Sequence, residues 1–321
     1  MHPVQFGVCR FSATVLRVSD ALVQPVAAAP ARRMGLLYGL GAYTIWGFIP
    51  IYFHAVAEIS PWLVLCHRVF WSVLFLAVVI SVRGEWSCFG PGLWSRRRMG
   101  LLAAGAVLIA ANWLIFIYAV ASRQVVQASL GYFINPLLSV ALGMVFLQER
   151  LRGWQWVAVA LAGGAVLNLA FRSSGFPWIA LSLAGTFGLY GLVRKQVDIN
   201  SLHALAVETA FLFPAALLVL VLPGFAASRP GAIGLLSLSG IITAVPLLMF
   251  GAAVQRLQLS TLGFLQYVGP SLQLLVALVV FHEPFDRARL GSFVLCWLAI
   301  AVYVADSLRS HHPPPVADEP E

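Results

Sequence analysis

The stretch YFINPLLSVALGMVFLQER, residues 132–150, decides the fold, because it is an apolar run with a proline near its start and a glutamate near its end. A second stretch, QYVGPSLQLLVALVVFHEP at residues 266–284, aligns with the first when the sequence is shifted by 134 positions. Both read Pro-x12-Glu, beginning at Pro136 and at Pro270. A repeated apolar run of about 20 residues indicates a helical membrane protein with two similar halves.

Further apolar runs of similar length occur along the chain, so the sequence predicts ten transmembrane helices in an all-α integral membrane fold. At about 1.5 Å per residue, about 20 residues cross the roughly 30 Å hydrocarbon core of a bilayer. The longest connection is residues 83–98, which leaves no room for a soluble domain, so we expect function to reside in the helical bundle. The predicted spans are residues 35–56, 62–82, 99–121, 124–146, 153–170, 176–193, 203–222, 231–254, 259–281 and 289–306.

Composition also places the chain among integral membrane proteins. Of the 321 residues, 60% are hydrophobic and only 10% are charged, and the mean hydropathy is +0.89. A soluble domain has about 25% charged residues and cannot hide this much apolar surface around one core. The net charge is +8, but the basic residues are scattered between apolar runs and form no patch. This argues against a nucleic-acid partner and makes the lipid bilayer the expected one.

The repeat favours two units of five spans each, at residues 35–170 and 176–306. A weaker match aligns Trp-Gly at 46–47 in the first span with Tyr-Gly at 190–191 in the sixth. Because five is an odd number, two such units enter the membrane in opposite orientations. This is the inverted repeat of an alternating-access carrier, whose substrate site lies near the midplane where the halves meet.

The distribution of Lys and Arg predicts that both termini are cytoplasmic. With the N-terminus inside, fourteen of the 20 basic residues fall on the cytoplasmic side, five fall outside and Arg68 lies within a span. Residues 1–34 lack a continuous apolar core, so we expect a disordered cytoplasmic extension and no cleaved signal peptide. A start of translation at Met34 is an equally good interpretation. Residues 307–321 are Pro-rich and charged and are predicted to be a disordered cytoplasmic tail.

Seven blocks of the sequence, in order, resemble the RarD subgroup of the EamA family in the drug/metabolite transporter superfamily. The resemblance covers nearly the whole chain from Met34 to Asp306 and implies a ten-helix inverted-repeat carrier of the bacterial inner membrane. Such carriers are described as permeases or exporters of small organic metabolites or drugs, and the N-terminal extension is a departure from the pattern. The blocks are AYTIWGFIPIYF (42–53), HRVFWS (67–72), NWLIFIYAV (112–120), QASLGYFINPLLSVALGMVFLQER (127–150), FGLYGLVRK (187–195), VPLLMFGAA (245–253) and LSTLGFLQYVGP (259–270).

The motif LCHRVFW at residues 65–71 contains an arginine inside the second predicted span. Arg68 lies about 9 Å below the outer interface, where a guanidinium costs at least about 2.5 kcal/mol. Two interpretations stay open: its head reaches the lipid headgroups beside Trp62, or it faces a central cavity and offers a positive charge to an anionic or zwitterionic solute. His67 is a second cavity candidate or a hydrogen-bonded packing residue, since consecutive helix positions differ by 100°.

Glu208 is the carboxylate that lies well inside a predicted span, six positions into the seventh. In an inverted repeat, the seventh span corresponds to the second, so Glu208 and Arg68 occupy related depths on opposite sides of the midplane. Apolar surroundings disfavour the charged form of a carboxylate, which is the property that a proton-coupling group needs. The alternative is a structural carboxylate that is bonded to a neighbouring helix or reached by cytoplasmic water.

A set of aromatic and amide residues inside the spans is predicted to line the substrate cavity. Such walls suit a partly apolar small molecule. Pro136 and Pro270 are predicted helix kinks, because each proline removes one helix hydrogen bond and frees a carbonyl. The predicted lining residues are Arg68, His67, Tyr43, Trp46, Asn112, Trp113, Tyr132, Asn135, Tyr190, Gln266 and Tyr267.

An enzyme is not indicated, because the sequence has no HExxH, GxSxG or Cys/His cluster and therefore no predicted catalytic residues, metal site or cofactor. The expected partners are the bilayer and a small-molecule solute, with protons and a second copy of the chain as further candidates. A polytopic scaffold or sensor without transport activity is the alternative function. The sequence favours a secondary transporter that works by alternating access.

Overall fold

The computed structural model describes residues 29–90, 94–122, 124–171, 176–221, 232–282 and 287–309. Its elements are helices, and no β-strand occurs in these ranges. Most of the predicted N-terminal extension and C-terminal tail lies outside the described residues, as does Glu283. The predicted all-α class is confirmed for the part of the chain that is described.

The helices are numbered in chain order and follow the ten predicted spans, with the ninth span divided into two helices. A 3-10 helix, Glu85–Phe89, lies between the second and third helices. The helices are α1 (Ala29–Ala55), α2 (Pro61–Arg83), α3 (Arg96–Ala121), α4 (Val125–Leu147), α5 (Gly153–Ala170), α6 (Trp178–Gln196), α7 (Ser201–Val221), α8 (Ala232–Arg256), α9 (Leu259–Gln266), α10 (Val268–Val279) and α11 (Arg287–Arg309).

The outside of the bundle is covered by large apolar side chains. Val78, Val107, Val145 and Leu218 are each more than 60% exposed. Within the described ranges, nine segments are long and apolar enough to cross a membrane, with α9 and α10 together forming one of them. Helix α6 is the exception, because its last turn carries two basic residues. The bundle therefore presents an oily surface to lipid, as the composition predicts.

The ninth span is interrupted at Tyr267, three residues before Pro270. A proline has no N–H, so Pro270 cannot donate to the carbonyl of Gln266. The Tyr267 N–H instead donates to the Phe264 carbonyl at 3.3 Å, which is a tighter turn. Helix α4 continues through Pro136 without such an interruption.

The helices pack in a pattern that is preserved when α1–α5 are exchanged with α6–α11, with α9 and α10 together corresponding to α4. Helix α1 packs against α8 and α10, as α6 packs against α3 and α4. Helix α2 contacts α8 as α7 contacts α3. The pairs α2–α7, α4–α9 and α5–α11 each join an element to its own counterpart. The main contacts between the described helices are therefore the same after this exchange.

A shift of 134 positions aligns the two Pro-x12-Glu runs. The same shift aligns α3 with α8, and it aligns two residues with an unusual backbone conformation. Gln148 and His282, which are 134 positions apart, are the two non-glycine residues with positive φ in the described chain, at 54° and 51°. The same left-handed turn thus ends α4 and follows α10. The identical pairs between α3 and α8 are Gly100/Gly234, Leu101/Leu235, Leu102/Leu236, Ala110/Ala244, Leu114/Leu248, Phe116/Phe250, Ala119/Ala253 and Val120/Val254.

Glu149 joins α4 to the start of α9. We call the face of the bundle where α1 begins the terminal face and the opposite one the distal face; α4 ends and α9 begins at the terminal face. The Leu259 N–H donates to Glu149 Oε1 at 2.6 Å, and the Ser260 N–H donates to Oε2 at 2.9 Å. A Cβ at Gly143 would lie 2.6 Å from Oε2, so a glycine is needed there for the carboxylate to fold back. One side chain therefore pairs two helix-end donors across the terminal face.

We predict that Glu149→Ala lowers the thermal unfolding midpoint of the detergent-solubilised protein by about 2–4 °C, because two buried N–H groups lose a charged acceptor. Glu149→Gln keeps one acceptor and is expected to lie between the variant and the wild type. The exposed Asp198→Ala is the matched control and should leave the midpoint unchanged. An unchanged midpoint in Glu149→Ala would contradict this role of the carboxylate.

Candidate functional site

A cavity of about 980 Å³ lies inside the bundle and is lined by helices from both halves. Its lining includes His54 and Pro61, at the end of α1 and the start of α2, so it reaches the distal face. It extends inward to Tyr43, Leu247 and Gln266. Its volume is in the range of cavities that hold drug-sized molecules.

Arg68 projects from α2 into this cavity and is held there by α8. Its Nε donates to the Thr243 hydroxyl at 2.9 Å. The two helices are close at this level, because Gly240 has no side chain to meet the backbone of Trp71. The hydroxyl of Ser72 also donates to the Gly240 carbonyl, at 3.3 Å. The close approach of α2 to α8 therefore sets the direction of the guanidinium.

Aromatic rings cover the Arg68 guanidinium, but no carboxylate does so within the described part of the chain. Its Cζ lies 4.8 Å from the centroid of the Trp113 ring and 5.6 Å from that of Phe53, which is the range of cation–π contacts. Among the described residues, no hydrogen-bond partner or ion pair engages its two terminal nitrogens. The guanidinium thus keeps two N–H-bearing nitrogens available inside the cavity.

Most of the aromatic and amide residues predicted from the sequence line the same cavity as Arg68. Asn112 donates from its amide nitrogen to the Leu183 carbonyl and the Thr186 hydroxyl, each at 2.9 Å, and this ties α3 to α6. The predicted residues that line the cavity, besides Arg68, are Tyr43, Trp46, Asn112, Trp113, Tyr132, Asn135 and Gln266, together with Pro270.

Three of the predicted lining residues, His67, Tyr190 and Tyr267, do not line this cavity. His67 is next to Arg68 but is turned by about 100° around α2, and it is half-buried against the bundle. Tyr190 donates from its hydroxyl to Glu208 at 3.0 Å. Tyr267 donates to the Phe133 carbonyl at 3.3 Å. Among the described residues, the cavity lining includes none of these three side chains, and it does not include Pro136.

Five aromatic residues, Tyr43, Trp46, Phe187, Tyr190 and Phe250, form what we call the aromatic layer. Neighbouring rings in it have centroids 5.2 to 6.4 Å apart. Tyr43, Trp46 and Phe187 line the cavity, whereas Tyr190 and Phe250 lie behind them. The layer therefore forms the floor of the cavity on the side of the terminal face.

Behind the aromatic layer lies a buried ion pair between α6 and α7. Arg194 Nη1 lies 3.4 Å from Glu208 Oε1, and both side chains are 1% exposed. The Tyr190 hydroxyl donates to the other carboxylate oxygen. A Cβ at Gly105 would lie 2.7 Å from Glu208 Oε1, so α3 closes the site from a third side. Glu208 therefore has partners on α6 and is separated from the cavity.

Arg194 was missed by the sequence reasoning, which placed it in a cytoplasmic connection. The available signal was its spacing: it follows Tyr190 by four positions, which puts both side chains on one face of α6. Thr243, which orients Arg68, carries no such signal in the sequence. Among the described residues, no group of three or more His, Cys, Asp or Glu side chains is placed to hold a metal ion.

A second, smaller cavity of about 320 Å³ lies at the terminal face. Its lining includes Tyr38, Arg83, Gln255 and Arg256, from α1, α2 and α8. The Arg256 guanidinium lies 5.5 Å from the Tyr38 ring centroid and so joins α8 to α1. This cavity and the larger one therefore lie on opposite sides of the aromatic layer.

Comparison with known proteins identifies the family. The pattern of the EamA-like transporter family matches residues 33–171. An "Uncharacterized transporter" of Vibrio cholerae is 42% identical over 87% of this chain and 95% of that protein. Protein RarD of Escherichia coli is 41% identical over 87% of this chain and 97% of that protein. A solved crystal structure has the same fold with a TM-score of 0.68 at 19% identity, over 87% of this chain and 99% of that one. The chain therefore belongs to the EamA-like transporter family, in its RarD subgroup.

Proposed function

We propose that this multi-pass membrane protein is a secondary transporter that moves small organic solutes by alternating access. The observation that carries the proposal is the cavity of about 980 Å³, which reaches the distal face and ends on the aromatic layer. A carrier in one of its two end states has a binding chamber that is open to one side and closed to the other. The second cavity lies at the terminal face, which is the side where such a carrier would open in its other end state.

The proposal includes an inverted repeat, with residues 35–170 and 176–306 as the two halves. Its support is the packing pattern of the helices, which is preserved when α1–α5 and α6–α11 are exchanged. Five crossings in each half give the halves opposite orientations. The excess of Lys and Arg supports a cytoplasmic terminal face, with both termini on that side. The relatives are bacterial, and we place the carrier in the bacterial inner membrane with its cavity open to the outside.

Contacts between the halves hold the terminal face closed in this state. Glu149 binds the first turn of α9, and Arg256 covers Tyr38. Arg152 Nη1 lies 3.5 Å from Asp306 Oδ2, between α5 and α11. Each contact joins a helix of the first half to a helix of the second half. Opening of this face therefore requires the halves to separate at charged, partly exposed contacts rather than in the apolar core.

A scaffold or sensor without transport activity has no need for this arrangement. Its costly polar residues would extend along lipid toward the headgroups, with no chamber between the halves. Arg68 instead lies in the chamber, in contact with Thr243. The geometry therefore favours the carrier.

We further propose that Glu208 couples transport to protons. The carboxylate is 1% exposed and lies behind the aromatic layer, so it is separated from the solute. Protonation removes the negative charge that faces Arg194, and a buried arginine without its partner is strongly destabilised. Proton binding at Glu208 would therefore favour a rearrangement of α6 and α7, which is the step that links a proton to a change of conformation.

We predict that a disulfide between Gly35→Cys and Arg256→Cys stops transport. The Cβ of residue 35 would lie 2.9 Å from that of Arg256, so a small shift brings the pair to the roughly 3.8 Å of a disulfide, which would lock α1 to α8 at the terminal face. The assay uses a variant without the native cysteines, in vesicles loaded with an extract of bacterial metabolites, and mass spectrometry measures which solutes leave.

Vesicles with the reduced double variant should release at least one small organic solute faster than protein-free vesicles. Oxidation should abolish this release and a reductant should restore it, while each single cysteine variant stays active. Release that continues in the oxidised double variant would contradict alternating access at this face. A release profile equal to that of protein-free vesicles would contradict the transport function itself.

For proton coupling, we predict that Glu208→Gln abolishes the acceleration of efflux by an imposed pH gradient while exchange of the same solute continues. The glutamine keeps the shape and the hydrogen bond to Tyr190 but cannot be ionised. The double variant Arg194→Gln/Glu208→Gln leaves no unpaired charge and should behave in the same way. Asp198→Asn, which neutralises an exposed carboxylate between α6 and α7, is the control that retains coupling. Coupling that persists unchanged in both Glu208 variants would rule out this role.

A further inference from the structure

We infer that the cavity selects organic monoanions, whose negative group binds the free nitrogens of Arg68. This inference rests on the proposed transport function and names the chemistry of the solute. Among the described residues that line the cavity, Arg68 is the only Lys, Arg, Asp or Glu. The charge of the empty site, with histidine neutral, is therefore +1. A solute with one negative charge makes the loaded site neutral.

The orientation of Arg68 leaves the part of the guanidinium that binds carboxylates or sulfonates free. Nε is already used by Thr243, and the Trp113 ring covers the group at 4.8 Å. The two terminal nitrogens, which have no partner among the described residues, can form two parallel hydrogen bonds to an oxyanion. Thr243 and Trp113 thus fix the direction from which an anion approaches, and this direction is from within the cavity.

The location of Arg68 makes an anionic partner energetically favourable. It lies seven residues into α2 from Pro61, which is about 10 Å below the distal end of the helix. A charge at this depth is costly unless it is paired or hydrated. Glu208 cannot serve as its partner, because that carboxylate is paired with Arg194. A bound anion supplies the missing partner, and water does so when the site is empty.

The rest of the lining determines which chemical groups the solute can carry besides its negative group. The Trp46, Trp113, Phe116 and Phe187 side chains line the cavity, and ring systems of this kind bind flat or apolar groups. Asn135 is 6% exposed and lines the cavity, and its Oδ1 has no hydrogen-bond partner in the described part of the chain. The chemical class is therefore a carboxylate, or another oxyanion of single charge, on an aromatic or apolar body.

The charge balance has a consequence for the transport cycle. When a monoanion is bound, the site carries no net charge across the membrane, whereas the empty site carries +1 and a site with a dianion carries −1. The rate of monoanion exchange, in which the site crosses loaded in both directions, should therefore not depend on the membrane potential. Exchange of a dianion should depend on it.

Binding is tested with two probes of nearly the same shape, 2-naphthalenesulfonate and 2-naphthalenesulfonamide, which differ in charge. Isothermal titration should give the wild type on the order of 10- to 100-fold higher affinity for the sulfonate, the range expected for hydrogen bonds to a charged group. Arg68→Gln should bind the two probes equally, and Arg68→Lys should keep part of the preference. Arg97→Gln, which removes an exposed arginine at the start of α3 and outside the cavity, should keep all of it.

Exchange is tested in vesicles with a potassium diffusion potential, with 2-naphthalenesulfonate as the monoanion and naphthalene-1,5-disulfonate as the dianion. The rate for the monoanion should be the same at both polarities, and the rate for the dianion should change with polarity. Absent or equal binding of the sulfonate and the sulfonamide in the wild type overturns the inference, as does a preference that survives in Arg68→Gln. Solute release that continues while the anion preference is absent leaves the transport function standing and removes only the monoanion assignment.

Discussion

Arg68 imposes the constraint on which the rest of the molecule depends, because a guanidinium at this depth needs a polar site within an apolar bundle. Pairing it with a carboxylate would consume the charge, and among the described residues the structure does not do so. It uses a hydroxyl on α8 and an aromatic ring on α3, which orient the group without neutralising it. The cavity between the halves is the place where such a charge is tolerated, since water or solute reaches it there.

Glu208 and Arg68, the two charged residues predicted inside the spans, have opposite environments. Glu208 is buried and paired within a compact group of α3, α6 and α7, whereas Arg68 is unpaired and faces a chamber. The aromatic layer separates them. Breaking a buried ion pair costs several kcal/mol, so the pair stabilises one arrangement of the helices, while the free arginine is available to a ligand. The contacts of Glu149, Arg152 and Arg256 across the terminal face are, in contrast, made by charged side chains that are exposed or only partly buried, so hydration can replace them.

Much of this arrangement could be predicted from the sequence, because span length and composition are governed by the bilayer itself. The length of the ten spans and the energetic cost of Arg68 follow from the apolar interior of the bilayer. The repeated Pro-x12-Glu run can be read directly from the sequence. The direction in which individual side chains point could not be predicted from the sequence. His67 and Tyr190 point away from the cavity because of helix phase and of a partner on another helix, and Arg194 was assigned to a loop because basic residues usually end a span. The break at Tyr267 was expected only as a kink, since the length of the tighter turn depends on local packing.

The central claim is that the side chain at position 68 faces an aqueous chamber that opens at the distal face. The most direct measurement is the reaction of Arg68→Cys, in a variant without native cysteines, with a membrane-impermeant charged thiol reagent applied to intact cells. We expect position 68 to be modified from outside, whereas Val78→Cys, on the exposed surface of the same helix, stays unmodified. Protection of position 68 from the impermeant reagent, together with its reaction with a lipid-soluble one, would contradict the account.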